Sequence, residues 1–151
     1  MQIRIVKAGF DPGRELADHQ ATTLRRGEYG ANAVFIGSMR DFNEGSQVHS
    51  MTLEYYPGMT EKHIEQICHT AAQRWSLQDV LVIHRVGDIC PGDPIVLVSV
   101  WSAHRGDAFD ACRFIMEDLK HTAPFWKKES LDSGERWVDQ NTDGYAINST
   151  N

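Results

Sequence analysis

Positive charge gathers in one stretch of an otherwise acidic chain: His104-Arg105, then Lys120, then Lys127-Lys128 beside Glu129, close to the aromatic pair Phe125-Trp126. The whole chain carries a net charge of -6, so cations concentrated around an aromatic loop point to a bound anion, with phosphate the obvious candidate. His104 and Arg105 fall where the apolar run Val96 to Trp101 gives way to a turn and a helical pattern, a place where free amides and the helix dipole favour anions. Pro124 cannot continue that helix and biases Ala123 towards an extended backbone, so Lys120 and Lys127 are separated by a bend and can face one pocket. A second reading of the same residues stands beside this one. Lys120, Lys127 and Lys128 also fit a solvated basic face, with Phe125 and Trp126 as core anchors rather than a stacking platform.

Arg40 ends a segment in which Gly37 and Ser38 can bring backbone amides close to an anion, and its guanidinium could clamp a phosphate with two prongs. A surface ion pair with Asp41 or Glu44 is the competing reading. The histidines do not make a metal site: His63 and His69 are six apart on different faces of one helix, and no pair at helical metal spacing has an adjacent acid. His84 lies inside an apolar strand and is expected to be a hydrogen-bonded structural histidine. Cys68, Cys90 and Cys112 are odd in number and widely spaced, which predicts reduced thiols, two of them buried at apolar helix positions.

These groups must be carried by an α+β chain. The pattern predicts strands over residues 2–6, 31–36, 48–56, 80–86 and 95–101, the last two joined by the turn Pro91-Gly92-Asp93. Helices are predicted from Asp11-Pro12 to about Arg26, from Thr60 as cap with Ile64, Ile67, Cys68, Ala71 and Trp75 as the buried stripe, and from Asp107 as cap to Lys120. Along the strand at 48–56, Met51, Leu53 and Tyr55 face one side while Thr52, Glu54 and Tyr56 face the other, which gives one wet face. Residues 1–138 read as a single domain and 139–151 as a polar, flexible tail.

Composition narrows the class. At 151 residues with 41% hydrophobic, the chain is long enough for a real core without a metal or disulfide scaffold. The start, Met1-Gln2-Ile3-Arg4-Ile5-Val6, alternates like a strand, so neither a signal peptide nor a membrane span is expected and a cytoplasmic location is. Net acidity with only a local basic patch argues against general nucleic-acid binding.

The blocks around the cations resemble a known family. His104-Arg105 with Ala108-Phe109, Leu119-Lys120, and Ala123-Pro124-Phe125-Trp126-Lys127-Lys128-Glu129 are similar to the catalytic (large) subunit of molybdopterin synthase, the MoaE family. The similarity continues upstream through Phe35-Ile36-Gly37-Ser38-Met39-Arg40-Asp41, Leu53-Glu54-Tyr55-Tyr56-Pro57-Gly58-Met59-Thr60-Glu61, and Ile83-His84-Arg85-Val86-Gly87 with Pro91-Gly92-Asp93, in order over roughly residues 30 to 138. The resemblance implies an α/β hammerhead-type domain with an additional antiparallel β subdomain. It implies transfer of sulfur to a cyclic pyranopterin monophosphate, giving the dithiolene of molybdopterin. The sulfur would arrive as a C-terminal thiocarboxylate on the Gly-Gly tail of a small ubiquitin-like subunit, within a heterotetramer built on a homodimer of large subunits and with no cofactor. Ser38, Met39, Arg40, His104, Arg105, Lys120, Lys127, Lys128 and Glu129 would line the substrate pocket. Lys120 is the first choice for acid/base or covalent chemistry, and Lys127 for stabilising substrate and intermediate. One departure stands out: where related sequences can carry a basic residue after Trp137-Val138, this chain has Gln140 and Asn141. The rival expectations are a non-catalytic adaptor for a ubiquitin-like protein and a phosphate-ester-binding transferase or hydrolase. The chain lacks the glycine-lysine loop and carboxylate set that the second would use.

Overall fold

The computed structural model describes residues 1–43 and 45–138, so the expected tail at 139–151, with Gln140 and Asn141, and the Glu44 partner weighed for Arg40 lie outside the described residues. The chain runs β1 (Gln2–Val6), α1 (Pro12–Thr23), β2 (Ala31–Ser38), β3 (Phe42–Asn43), β4 (Ser46–Tyr55), α2 (Met59–Arg74), β5 (Leu77–Arg85), β6 (Gly87–Ile89), β7 (Pro94–Ser102), α3 (Arg105–Thr122), β8 (Phe125–Leu131) and β9 (Gly134–Val138). Two sheets result. One has the order β1-β5-β7-β2, with only β1 and β5 parallel. The other is antiparallel, ordered β3-β4-β8-β9, with β6 added to β4. This is the α+β arrangement with a second antiparallel sheet that the sequence led us to expect.

β5 and β7 read as continuous apolar runs because both their faces are covered. Val80, Val82, Val96, Val98 and Val100 face a core built with Ile64, Ile67, Cys68 and Ala71 of α2 and Ala108, Ala111, Ile115 and Leu119 of α3. Leu81, Ile83, Leu97 and Trp101 face the other way, where Leu16 of α1 packs. His19 of α1 is buried there, stacked on Trp101 at 5.1 Å, with Nε2 at 2.7 Å from Asp79 Oδ2.

Three of the helix boundaries that differ from expectation show what competes with the sequence pattern. α1 ends at Thr23 instead of Arg26, although Asp11 caps it as expected, its carboxylate accepting the amides of Gly13 and Arg14 at 2.9 and 3.2 Å. α3 begins at Arg105 with His104 as its cap, so Asp107 sits inside the first turn, where its charge still favours the dipole. Thr60 does not cap α2 either. Gly58 occupies that position, and its amide is bound by the Glu61 carboxylate at 2.6 Å. The Thr60 hydroxyl, fully buried, accepts from the Tyr56 amide at 3.1 Å and donates to the Pro124 carbonyl at 3.2 Å, tying β4 and β8 to the start of α2.

The larger correction concerns residues 125–138. The aromatic loop of the sequence reading is the strand β8, paired with β4 on one side and β9 on the other. Phe125 is an anchor, its ring stacked on His84 at 4.0 Å and 16°. Trp126 is not: it remains 41% exposed, edge-on to Tyr56. His84 is buried, and its Nδ1 donates to the Arg85 carbonyl at 2.9 Å, as a structural histidine should.

Burial pushes the His84 imidazole down to about 4 from its usual 6.5. As pH falls from 6.5, the unfolded chain takes up this proton and the folded protein does not. Stability should therefore drop through that window and level off below about 4, by on the order of 3 kcal/mol in total. Denaturant unfolding followed from pH 7 to 5 should show the loss, and His84→Phe should flatten it. An equally steep decline in the variant would refute this origin.

Candidate functional site

Alternation along β8 decides which cations meet. Glu129 pairs with Met51 of β4 on one side and Arg136 of β9 on the other, and Lys127 lies two residues earlier on the same face. Glu129 is only 2% exposed. Its Oε1 accepts from Lys127 Nζ at 2.9 Å and from Asn43 Nδ2 at 2.8 Å, and its Oε2 accepts from Arg136 at 2.8 Å. Burial by itself would raise the carboxyl's affinity for a proton, but the bonds from Lys127, Arg136 and Asn43 outweigh it and hold the group below the usual glutamate range. Lys128 faces the opposite side, where its ammonium contacts Glu135 at 3.2 Å and lies 5.8 Å from the centre of the Trp137 ring. Adjacent strand residues cannot share a face, so β8 separates the two lysines.

The loop after β2 approaches from the other strand neighbour. Ser38 is exposed at the end of β2. Met39 is buried with Val48, Met51, Leu53 and Ile89, and its backbone bonds the Pro91-Gly92-Asp93 turn in both directions: its amide to the Asp93 carbonyl at 3.0 Å, its carbonyl to the Gly92 amide at 2.9 Å. That turn is itself fixed, because Asp93 accepts from Arg85 at 2.9 Å and from the Cys90 amide at 3.0 Å. Arg40, exposed, lays its guanidinium 4.9 Å from the centre of the Phe42 ring. Asn43 then carries the segment into contact with Glu129.

His104 and Arg105 belong to a different place. Both are exposed at the start of α3. The Ser102 hydroxyl accepts from the His104 amide at 3.3 Å and donates to the Ser76 carbonyl at 2.8 Å. Gly30 seals the turn from outside, since a Cβ there would come within 2.5 Å of the Ala103 carbonyl oxygen. Lys120 stands half-buried in the last turn of the same helix. At ~1.5 Å per residue, Arg105 and Lys120 are about 22 Å apart along the axis. Within one copy, then, Lys127, Glu129, Arg136 and Asn43 are in direct contact, Lys120 is joined to them through the short connection at 123–124, and His104 with Arg105 occupies the far end of the helix. Sequence reasoning missed Arg136 and Asn43. The signal for Arg136 was present in Asp132-Ser133-Gly134, a hairpin turn between alternating segments, whereas Asn43 had no pattern to mark it.

Among the described residues, no group of three or more histidines, cysteines or acids is placed to hold a metal ion, and no helix is long and apolar enough to cross a membrane.

With this geometry in view, the chain can be compared with known proteins. Residues 10–122 match the MoaE protein family. A molybdopterin synthase catalytic subunit from Ralstonia nicotianae is 57% identical over 137 residues, covering 91% of this chain and 76% of the relative. One of the same description from Pseudomonas aeruginosa is 50% identical, covering 92% of this chain and 91% of the relative. Among solved structures, the molybdopterin biosynthesis MoaE protein from Burkholderia ambifaria superposes with a TM-score of 0.77 at 47% identity, over 95% of this chain and 93% of that one.

The cysteines give a direct check on the described side chains. All three are free; Cys68 and Cys112 are buried and Cys90 is exposed. Burial pushes the thiol of Cys68 up to about 12 and that of Cys112 to about 11, so neither supplies thiolate at neutral pH. A thiol-reactive dye should therefore label one cysteine per native chain and three after denaturation. Rapid labelling of two or more in the folded protein would contradict the burial described.

Proposed function

From the chain's membership of the MoaE family we propose that it is the catalytic subunit of a molybdopterin synthase, moving sulfur from the C-terminal thiocarboxylate of a small ubiquitin-like subunit onto cyclic pyranopterin monophosphate. The observation that carries this reading is the 57% identity to a molybdopterin synthase catalytic subunit over 91% of the chain. We take residues 1–138 as one catalytic domain, and the cytoplasm as its location, in keeping with three unpaired cysteines.

The chemistry needs cations and does not need a nucleophilic thiol here. In each transfer the thiocarboxylate sulfur bonds to a side-chain carbon of the pterin as a C–O bond at that carbon breaks, the oxygen leaving with the phosphate or as water; water then cleaves the acyl–sulfur bond, leaving the tail carbon as a carboxylate and the sulfur on the pterin as a thiolate. Anionic species arise at the acyl carbon on the way, and preorganised donors stabilise such charge. In this reading Lys127 stabilises the substrate and the oxyanion, and Lys120 acts as acid/base or as transient acyl partner. Arg40, beside Ser38 and Met39, holds the phosphate, and Lys128 tunes the field from the other face of β8. His104 and Arg105 offer a second anion-holding place, a helix length away. Bringing both places around one ligand would take a second copy of the chain, as in the homodimer that the family resemblance implies.

The test mixes the protein with a thiocarboxylated small subunit and the pyranopterin and follows dithiolene formation. Release of free phosphate instead would support a hydrolase, and binding of the small subunit without product would support an adaptor. Lys120→Ala and Lys127→Ala should each slow single-turnover transfer by at least about 100-fold, the scale of a lost acid/base or oxyanion-stabilising group. Affinity for the small subunit should change far less, because an interface spreads over many contacts. Normal turnover in the Lys120 variant would overturn its assignment.

A further inference from the structure

The segment from Met39 to Asn43 is fixed at its two ends and exposed between them. Met39 is held by its two backbone bonds with the Pro91-Gly92-Asp93 turn. Asn43 is 6% exposed, and its Nδ2 donates to Glu129 Oε1 at 2.8 Å. Arg40, Asp41 and Phe42 lie between these anchors in contact with solvent. Successive strand residues point to opposite faces, so turning Asn43 inward turns Phe42 outward, and the Arg40 guanidinium rests 4.9 Å from the centre of that ring. β3 contributes only two residues to its ladder with β4, so backbone pairing alone holds the segment weakly. Glu129, the other half of the contact, is 2% exposed with both oxygens engaged, too deep to line a substrate pocket as the sequence suggested. It serves as a common anchor instead: the oxygen that accepts from Asn43 also accepts from Lys127 Nζ, at 2.9 Å.

Resting on the function proposed above, we infer that Asn43 is a positioning residue for the sulfur-transfer site: its bond to Glu129 holds the segment that presents Arg40 to the substrate phosphate at a fixed place relative to Lys127. A guanidinium already held where the phosphate arrives loses less freedom on binding, so its contact contributes more to affinity. Asparagine suits the task because it donates to a buried carboxylate without adding charge. An aspartate there would set two carboxylates against each other, and an apolar side chain would leave the segment with its short ladder alone.

The arrangement makes the effects of Arg40 and Asn43 depend on each other. Asn43→Ala should weaken binding of cyclic pyranopterin monophosphate about tenfold, the equivalent of about 1.4 kcal/mol, and slow single-turnover transfer at saturation much less, since Lys127 keeps its own bond to Oε1. Arg40→Ala should cost as much or more, and the double variant no more than Arg40→Ala alone; independent sites would instead multiply their losses. Two carboxylates in contact take up a proton between them as pH falls. The affinity of Asn43→Asp relative to wild type should therefore be lowest near about pH 8 and recover towards about pH 5.5, while the ratio for Asn43→Ala stays flat. Calorimetry with the pterin gives the affinities and rapid-quench sulfur transfer the rate, each on variants shown by thermal melting to be folded. A residue that only stabilised the sheet would lower the melting temperature and leave the affinity of the folded protein unchanged. Wild-type affinity in Asn43→Ala, or losses that multiply in the double variant, would overturn the inference. Should Asn43→Ala fail to fold, the pH dependence of Asn43→Asp decides it. A wild-type protein that binds the pterin and yields no dithiolene overturns the function and leaves the binding comparison to decide Asn43; one that does not bind overturns both.

Discussion

A carboxylate almost fully withdrawn from water constrains the second sheet more than any other group. An uncompensated buried charge costs several kcal/mol, and removing one partner from a buried pair typically costs ~3–5 kcal/mol. Glu129 avoids that penalty only if Lys127, Arg136 and Asn43 all arrive within hydrogen-bond distance. They come from β8 itself, from β9 and from the short β3, so satisfying one side chain fixes the relative placement of three strands. The polar cluster has the apolar group of Met39, Val48, Met51, Leu53 and Ile89 as its neighbour, through the pairing of Met51 with Glu129. Packing gives this sheet its stability, and the ionic cluster gives it a definite register.

Two local contacts seat the start of β8 on the rest of the fold. Phe125 stacks on His84, and the Thr60 hydroxyl links the Tyr56 amide to the Pro124 carbonyl. Both contacts lie at the start of β8, immediately after the helix that carries Lys120. The orientation of β8, and hence which of its lysines faces Glu129, is therefore set in part by the packing of Phe125 on His84 and by the bonds of Thr60. α3 acts at the same time as a spacer, holding its two cationic ends a helix length apart. On the proposed reading that distance keeps the two cationic places of a single copy from serving one small ligand together.

Much of this was legible in the sequence because the two central strands of the first sheet, β5 and β7, are buried on both faces and announce themselves as apolar runs. Val80 to Val86 and Ile95 to Trp101 needed no further information. The second sheet was harder. Phe125-Trp126-Lys127-Lys128-Glu129 carries three charges in succession, and charge suggested a loop; in fact its alternate residues are accommodated by different means, one by a buried ion pair and the next by solvent and an aromatic ring. Burial of a charged residue depends on partners distant in sequence, such as Asn43, 86 residues from Glu129. No local window contains that relation. The cap expected at Thr60 failed for a similar reason, since its hydroxyl is used to join the segments at the end of β4 and the start of β8.

The same logic separates the two lysines of β8 by environment. A lysine loses its charge when buried alone and gains no direction when fully exposed. Lys127 sits between those limits, about two-thirds covered and bonded at 2.9 Å to a carboxylate that is itself anchored by two other donors. Such an ammonium is oriented by Glu129 yet still reachable from solvent, the combination required of a donor that must meet charge developing on a substrate. Lys128 is covered to a similar degree, but its carboxylate partner, Glu135, is largely exposed, so solvent screens the pair and little fixes its geometry. Neighbouring residues of one type thus differ in how firmly they are held through the burial of their counter-ions, a property set by which face of β8 meets the core.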